Sequence, residues 1–155
     1  MIENYDRWVF ATMSGDFNAT FTADTQVFVE GSDRERPVDV EYVEFRMDGP
    51  RKRQPSRIDI RYEFEINILV RTYMDSKNFH RMRDLCGRVR EWLDKNHCIY
   101  RHGTGPDDNP SLLLGELHLV NRRSFEAIRT NNFGQIDPKY RIEESTVEAS
   151  FVLHI

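Results

Sequence analysis

His97, Cys98 and His102 are side chains of the types that hold a metal ion, and they lie close together in the sequence. Their spacing lacks the Cys-x-x-Cys or His-Glu-x-x-His arrangement that fixes two ligands on one turn or helix face, so no metal is expected. His97 is instead expected at the carbonyl end of a helix, with loop residues after it. Cys86 would need exposure and a neighbouring base to act as a nucleophile, but its helical phase turns it inward and His80 falls on another face. A packing role follows, as for a small hydrophobe. Glu63 and Glu65 project from one strand face, the ordinary arrangement of a solvated strand, and nothing local would raise either pKa. Gly103-Thr104-Gly105 lacks the lysine and the strand-to-helix junction of a phosphate loop, and Asp107-Asp108 would repel phosphate. No catalytic residue and no cofactor is expected.

Arg51, Lys52, Arg53 and Arg57 are a stronger signal. Asp48-Gly49-Pro50 is expected to end a strand and Pro55 to prevent regular pairing, which leaves these cations on an exposed loop. Clustered cations there could meet phosphates or an acidic protein surface, or could simply keep a hairpin tip soluble. The loop has no interleaved aromatic residues for stacking on single-stranded nucleic acid.

The elements around these residues are read from periodicity. Ile58, Ile60, Tyr62, Phe64, Ile66, Ile68 and Val70 alternate with Asp59, Arg61, Glu63, Glu65, Asn67 and Arg71, with Leu69 out of phase. A strand from Ile58 to Thr72 would span on the order of 40 Å and needs a helix or second sheet against its apolar face. Asp75 or Ser76 is expected to cap a helix carrying Phe79, Met82, Cys86, Val89 and Leu93 inward. Upstream, Ile2, Tyr5, Val9 and Met13 suit a helix, although Trp8 to Met13 could form a strand turning at Ser14-Gly15. Gln26 to Glu30 reads as a short strand. The apolar phase then switches from Val38, Val40 and Tyr42 to Val43, Phe45 and Met47, the pattern of a bulged strand. Arg101 to Ser111 reads as a loop, and Leu112 to Val120 and Thr146 to Ile155 as strands. The fold class is α+β, a mostly antiparallel sheet with a long central strand packed against two helices.

With 155 residues, 31% of them charged and 39% hydrophobic, the chain is expected to form a single folded domain, 1–155. A formal charge of -4 gives no global field toward nucleic acid or an anionic membrane. No run approaches the roughly 20 apolar residues that cross a bilayer, and the start has no signal-peptide pattern, so cytosolic synthesis and free thiols are expected.

The order of elements resembles the tail terminator, or tail completion, proteins of long-tailed bacteriophages. The likeness is carried by Asp6-Arg7-Trp8, the strand Val27-Phe28-Val29-Glu30, the stretch from Val40 to Pro50, the alternation from Ile58 to Thr72 and the helix from Phe79 to Leu93. It also rests on a loop, Asn132-Phe133-Gly134-Gln135, before the terminal strand. The resemblance implies a homo-oligomeric, hexameric ring in the neck of the virion. That ring caps the tail tube protein, meets the head-completion proteins and lets DNA pass without sequence reading. Asp59, Arg61, Glu63 and Glu65 then give a ring-lining or inter-subunit face of mixed sign, and the loops at Arg51–Arg57 and Arg101–Ser111 give docking elements. The alternatives are another tail or head-tail connector protein, a small enzyme or ligand-binding module, and a host accessory domain using the basic loop.

Overall fold

Two apolar stripes and one long alternation determine how the chain layers. The computed structural model describes residues 2–31, 35–37, 39–54, 57, 61–74, 80–102, 112–121, 127–137 and 139–155. Among them are two helices and seven strands. Helix α1, Ile2–Phe21, passes through Ser14-Gly15 without a turn and buries Trp8, Val9, Met13, Phe17 and Phe21. Phe17 and Phe21 prolong the helical stripe, which favours helix over hairpin. Helix α2, Arg81–Leu93, buries Met82, Leu85, Cys86, Val89, Trp92 and Leu93. Its N-cap is His80 and not Asp75 or Ser76, which with Phe79 lie outside the described residues. The helices meet where the Phe17 and Trp92 rings stand 5.3 Å apart and Trp92 Nε1 donates to Asp16 Oδ2 at 2.7 Å.

Both helices pack on one face of a sheet ordered β1-β2-β3-β7-β5-β4, with β6 on the same edge of β7 as β5. The strands are β1 Gln26–Val29, β2 Tyr42–Arg53, β3 Arg61–Tyr73, β4 His97–Tyr100, β5 Leu113–Leu119, β6 Ile128–Asp137 and β7 Ile142–His154. Only β1 and β2 pair in parallel; every other pairing among the described residues is antiparallel. The helix-covered face presents Val43, Phe45, Phe64, Ile66, Ile68, Val70, Val147, Ala149, Phe151 and Leu153 to the main core. Burying each large side chain of this set contributes about 1.5–3 kcal/mol, so the alternation in β3 and β7 is the main determinant of the fold.

Several expectations need correction. The phase switch at Tyr42/Val43 is no bulge: the strand begins at Tyr42, and Asp39 and Val40 form a bend before it. The bulge falls between Asp48 and Arg51, and Gly49-Pro50 does not end the strand. Gly49 has φ +120°, and a Cβ there would stand 2.8 Å from the Glu63 carbonyl oxygen, so glycine is what lets the chain bend against β3 and continue. The Gly49–Pro50 peptide is cis. Proline is tolerated at such a bulge because the ladder is already interrupted. Ile58, Asp59 and Ile60 lie outside the described residues, and β3 is described from Arg61 onward. His97 and Cys98 begin a strand where a helix end followed by loop was expected, since Ile99 fills the core beside β5, although the His97 ring does sit at the carbonyl end of α2. Asn132-Phe133-Gly134-Gln135 lies inside β6, not in a loop, because the β7 backbone from Ile142 to Ala149 pairs with it.

Leu69, out of phase in the alternation, has its own partners. With Phe28 and Tyr42 it forms a second, smaller core on the opposite face of the sheet.

Candidate interaction surface

In a strand, neighbouring side chains point to opposite faces, so the basic stretch is divided by its own pairing. Arg51 stands opposite Glu63, Lys52 opposite Tyr62 and Arg53 opposite Arg61. Arg51 lies on the face away from the helices, 3.1 Å from Asp48 and 3.7 Å from Glu65. Lys52 is exposed and belongs to the other face, since its partner Tyr62 packs edge-on against Tyr5 of α1 at 5.1 Å. Arg57 is exposed, and its carbonyl accepts from Gln54 Nε2 at 3.4 Å. Arg61 is exposed at the start of β3, Glu63 and Glu65 are half-buried, and Asp59 lies outside the described residues. The structure therefore gathers Arg51, Glu63 and Glu65 on one face and separates Lys52 from them.

That outer face continues across the sheet. Arg46, Asn67, Glu148 and Arg129 form one cross-strand row, with Arg129 and Glu148 paired at 3.0 Å. Beyond it the buried Glu44 carboxylate takes Arg36 Nε at 2.5 Å and Arg46 Nε at 2.7 Å. Burial alone would raise its pKa, but the two guanidiniums outweigh burial and hold the carboxyl below its usual value. Arg36 also lies over the Phe28 ring, and Arg71 lies over Tyr42 while pairing with Glu144 at 3.5 Å. Glu44, Arg36 and Arg71 were not singled out in the sequence, because each looks like an ordinary surface charge until the Phe28–Tyr42–Leu69 core buries it. The result is a face whose charges are largely paired within the sheet.

His97, Cys98 and His102 do not converge. His97 is buried, its pKa lowered by burial, and its Nε2 donates to the Trp92 carbonyl of the α2 C-terminus at 3.0 Å. His102 Nε2 meets Thr12 Oγ1 at 2.9 Å, and Cys98 Sγ lies 3.9 Å from Glu116 Oε1. Among the described residues no three histidine, cysteine or acidic side chains are grouped to hold a metal ion. Cys86 is buried, and burial pushes its thiol up to about 11. Glu143 at the helix side of β7 acts in the same direction.

One constellation had no sequence signal. A cleft of about 530 Å³ is lined by Arg61, Tyr62, His118, Asn121, Val152 and His154, among others, and residues far apart in the chain meet there through the pairing of β5 with β7. The His118 and His154 rings stand 4.5 Å apart, and His118 Nε2 lies 3.1 Å from Glu116 Oε2. With Cys98 the order of contacts is thiol, carboxylate, imidazole. The imidazole does not touch the sulfur, so this order does not assemble a cysteine–histidine pair.

Among the described residues the longest open edge is β6, which bonds only to β7, and Arg129 to Phe133, Gln135 and Ile136 are exposed. Phe133 and Ile136 occupy the two register shifts of the strand and are 58% and 41% exposed. No helix among the described residues is long and apolar enough to cross a membrane.

Neither family models nor curated proteins match the chain. Among the solved structures of similar fold, one has a TM-score of 0.60 and 8% identity over 97% of this chain and 96% of that one. At that identity the likeness concerns the fold alone.

Proposed function

We propose that this chain is a subunit of a ring in the neck of a long-tailed bacteriophage, a tail terminator that caps the tail tube and meets the head-completion proteins while DNA passes. The observation that carries the reading is the edge of β6, which among the described residues bonds only to β7, with Phe133 and Ile136 exposed on it. Lone proteins shield such edges, and subunits of assemblies leave them for a partner. The outer face supports the same role: a lumen must not grip DNA tightly, and ion pairs such as Arg51–Asp48 and Arg129–Glu148 leave few cations to do so. Of the elements on which the resemblance rests, the first helix, the short strand, the long strand and the second helix are present, whereas Asn132 to Gln135 is strand and not loop. The ring is the working form, with no catalytic step.

Light scattering on the purified chain tests this reading. A closed oligomer of about six copies is expected, and a strict monomer would remove it. A second reading, a small-ligand module, is favoured by the cleft that His118 and His154 line. It predicts a monomer whose melting temperature rises on ligand addition and loses that response in H118A/H154A.

A further inference from the structure

We infer that the cleft between α1 and the outer edge of β4 binds a free α-amino acid, which pairs with the Cys98 backbone as a strand one residue long. The inference goes beyond the ring reading and holds for a ring and for a single chain alike.

β4 ends the sheet, and among the described residues it pairs only with β5. Two hydrogen bonds fix the directions of its backbone groups. Arg101 N donates to the Leu112 carbonyl on the β5 side, whereas Tyr100 N donates to Thr12 Oγ1 on the α1 side. Backbone groups of alternate strand residues point the same way, so the Cys98 N–H and C=O face α1 as those of Tyr100 do. Across from them α1 presents Thr12, Asp16 and Thr20, a stripe with four residues between successive members. Four helical residues and two strand residues cover similar lengths, about 6–7 Å, so Asp16 stands level with Cys98 when Thr12 stands level with Tyr100. Trp92 fixes that direction, since its indole donates to Asp16 and its carbonyl accepts from His97.

At Tyr100 the Thr12 hydroxyl closes the edge, taking the N–H at 3.3 Å and lying 3.4 Å from the carbonyl oxygen. One turn along α1 a cleft of about 400 Å³ opens, lined by Asp16, Thr20, Lys95 and Cys98 among others. There the Cys98 N–H and C=O have no partner among the described residues.

The groups around this opening select one ligand chemistry. Asp16 uses Oδ2 for Trp92 Nε1 at 2.7 Å, which leaves Oδ1 to the cleft. Lys95 is exposed on the same cleft, and the two charges do not pair with each other. Both lie near His97: after burial and the Trp92 carbonyl, the charges that act on its imidazole are Asp16, which raises its pKa, and Lys95, which lowers it. Opposite charges that line one cleft unpaired call for a ligand carrying both signs. A residue set antiparallel to Cys98 donates to its carbonyl, on the Ile99 side, and accepts from its N–H, on the His97 side. Its ammonium then lies toward Asp16 and its carboxylate toward Lys95. A peptide group offers neither charge, and the Thr12 contact at Tyr100 stops a chain from running on past the ammonium.

Isothermal titration calorimetry of the full chain with each standard amino acid in turn tests the site. The amide and the N-acetyl derivative of any binder serve as ligands that lack one charge. At least one amino acid should bind the wild type, and both derivatives should bind at least about tenfold more weakly, the loss of one hydrogen bond to a charged group. Asp16→Asn, which keeps an oxygen for Trp92 Nε1, and Lys95→Gln should each weaken binding by a similar factor with unchanged circular dichroism. The Cys98 amide proton should shift in the NMR spectrum of the bound wild type, a readout that needs no variant. A wild type that binds no amino acid overturns the inference, as does a binder whose derivatives bind equally well. Full affinity in either variant, or an unmoved Cys98 amide, places the ligand elsewhere and overturns it too. None of these outcomes depends on the number of copies, so the ring reading stands or falls separately.

Discussion

The Nε of Arg36 lies 2.5 Å from Oε1 of Glu44, and the same guanidinium covers the Phe28 ring, so one side chain ties the segment before β2 to both the carboxylate and the second core. Arg46 closes the other side of Glu44. Glu44→Gln should therefore destabilise the protein by about 1.5–3 kcal/mol, the range for hydrogen bonds to a charged group. Glu44 has a folded pKa below the ordinary 4.5. Its contribution is thus fully present above that value and is lost as pH falls through the folded pKa. Denaturation curves between neutral and acid pH should show this loss in the wild type and a weaker pH dependence in E44Q. Equal slopes would mean the clamp contributes nothing.

The two cysteines should differ sharply in reactivity. Cys98 is exposed, whereas Cys86 is buried with its thiol pushed up to about 11. At pH 8 an aromatic disulfide reagent should titrate one thiol in the native protein and two in denaturant. Two fast thiols in the native state would place Cys86 at the surface and contradict the packing of α2.

Two glycines make opposite predictions for one substitution. A Cβ on Gly115 would stand 2.1 Å from the His154 carbonyl oxygen and 3.0 Å from Ile155 Cα. Gly115→Ala must therefore push β5 from the end of β7 and should cost about 1–3 kcal/mol. Gly87, on the exposed side of α2, has nothing within 4 Å of such a Cβ. Gly87→Ala should stabilise by about 0.5–1 kcal/mol through helix propensity. Urea denaturation of the two variants checks both signs.

What could be read in advance follows from the range of each signal. The β3 and β7 alternations are local and repeat every two residues, so the buried faces from Phe64 to Val70 and from Val147 to Leu153 were legible. The start of β7 at Ile142 was not, and Ile155, expected on the same face, is 71% exposed. Leu69 looked like a defect because its reason, a second core with Phe28 and Tyr42, comes from three separate strands. Gly49-Pro50 looked like a break because the residue types alone do not show that β3 continues alongside and carries the chain through a bulge. Asn132 to Gln135 has the composition of a loop, and only β7 makes it a strand. The same limit hid the candidate surface: the division of Arg51 from Lys52 and the meeting of His118 with His154 are consequences of register, which no single segment encodes.

Negative-stain imaging of the purified wild-type chain tests the central claim most directly. Closed rings with sixfold symmetry and an open centre are the predicted result. A field of single, unassembled particles at concentrations where light scattering also reports one chain would contradict it.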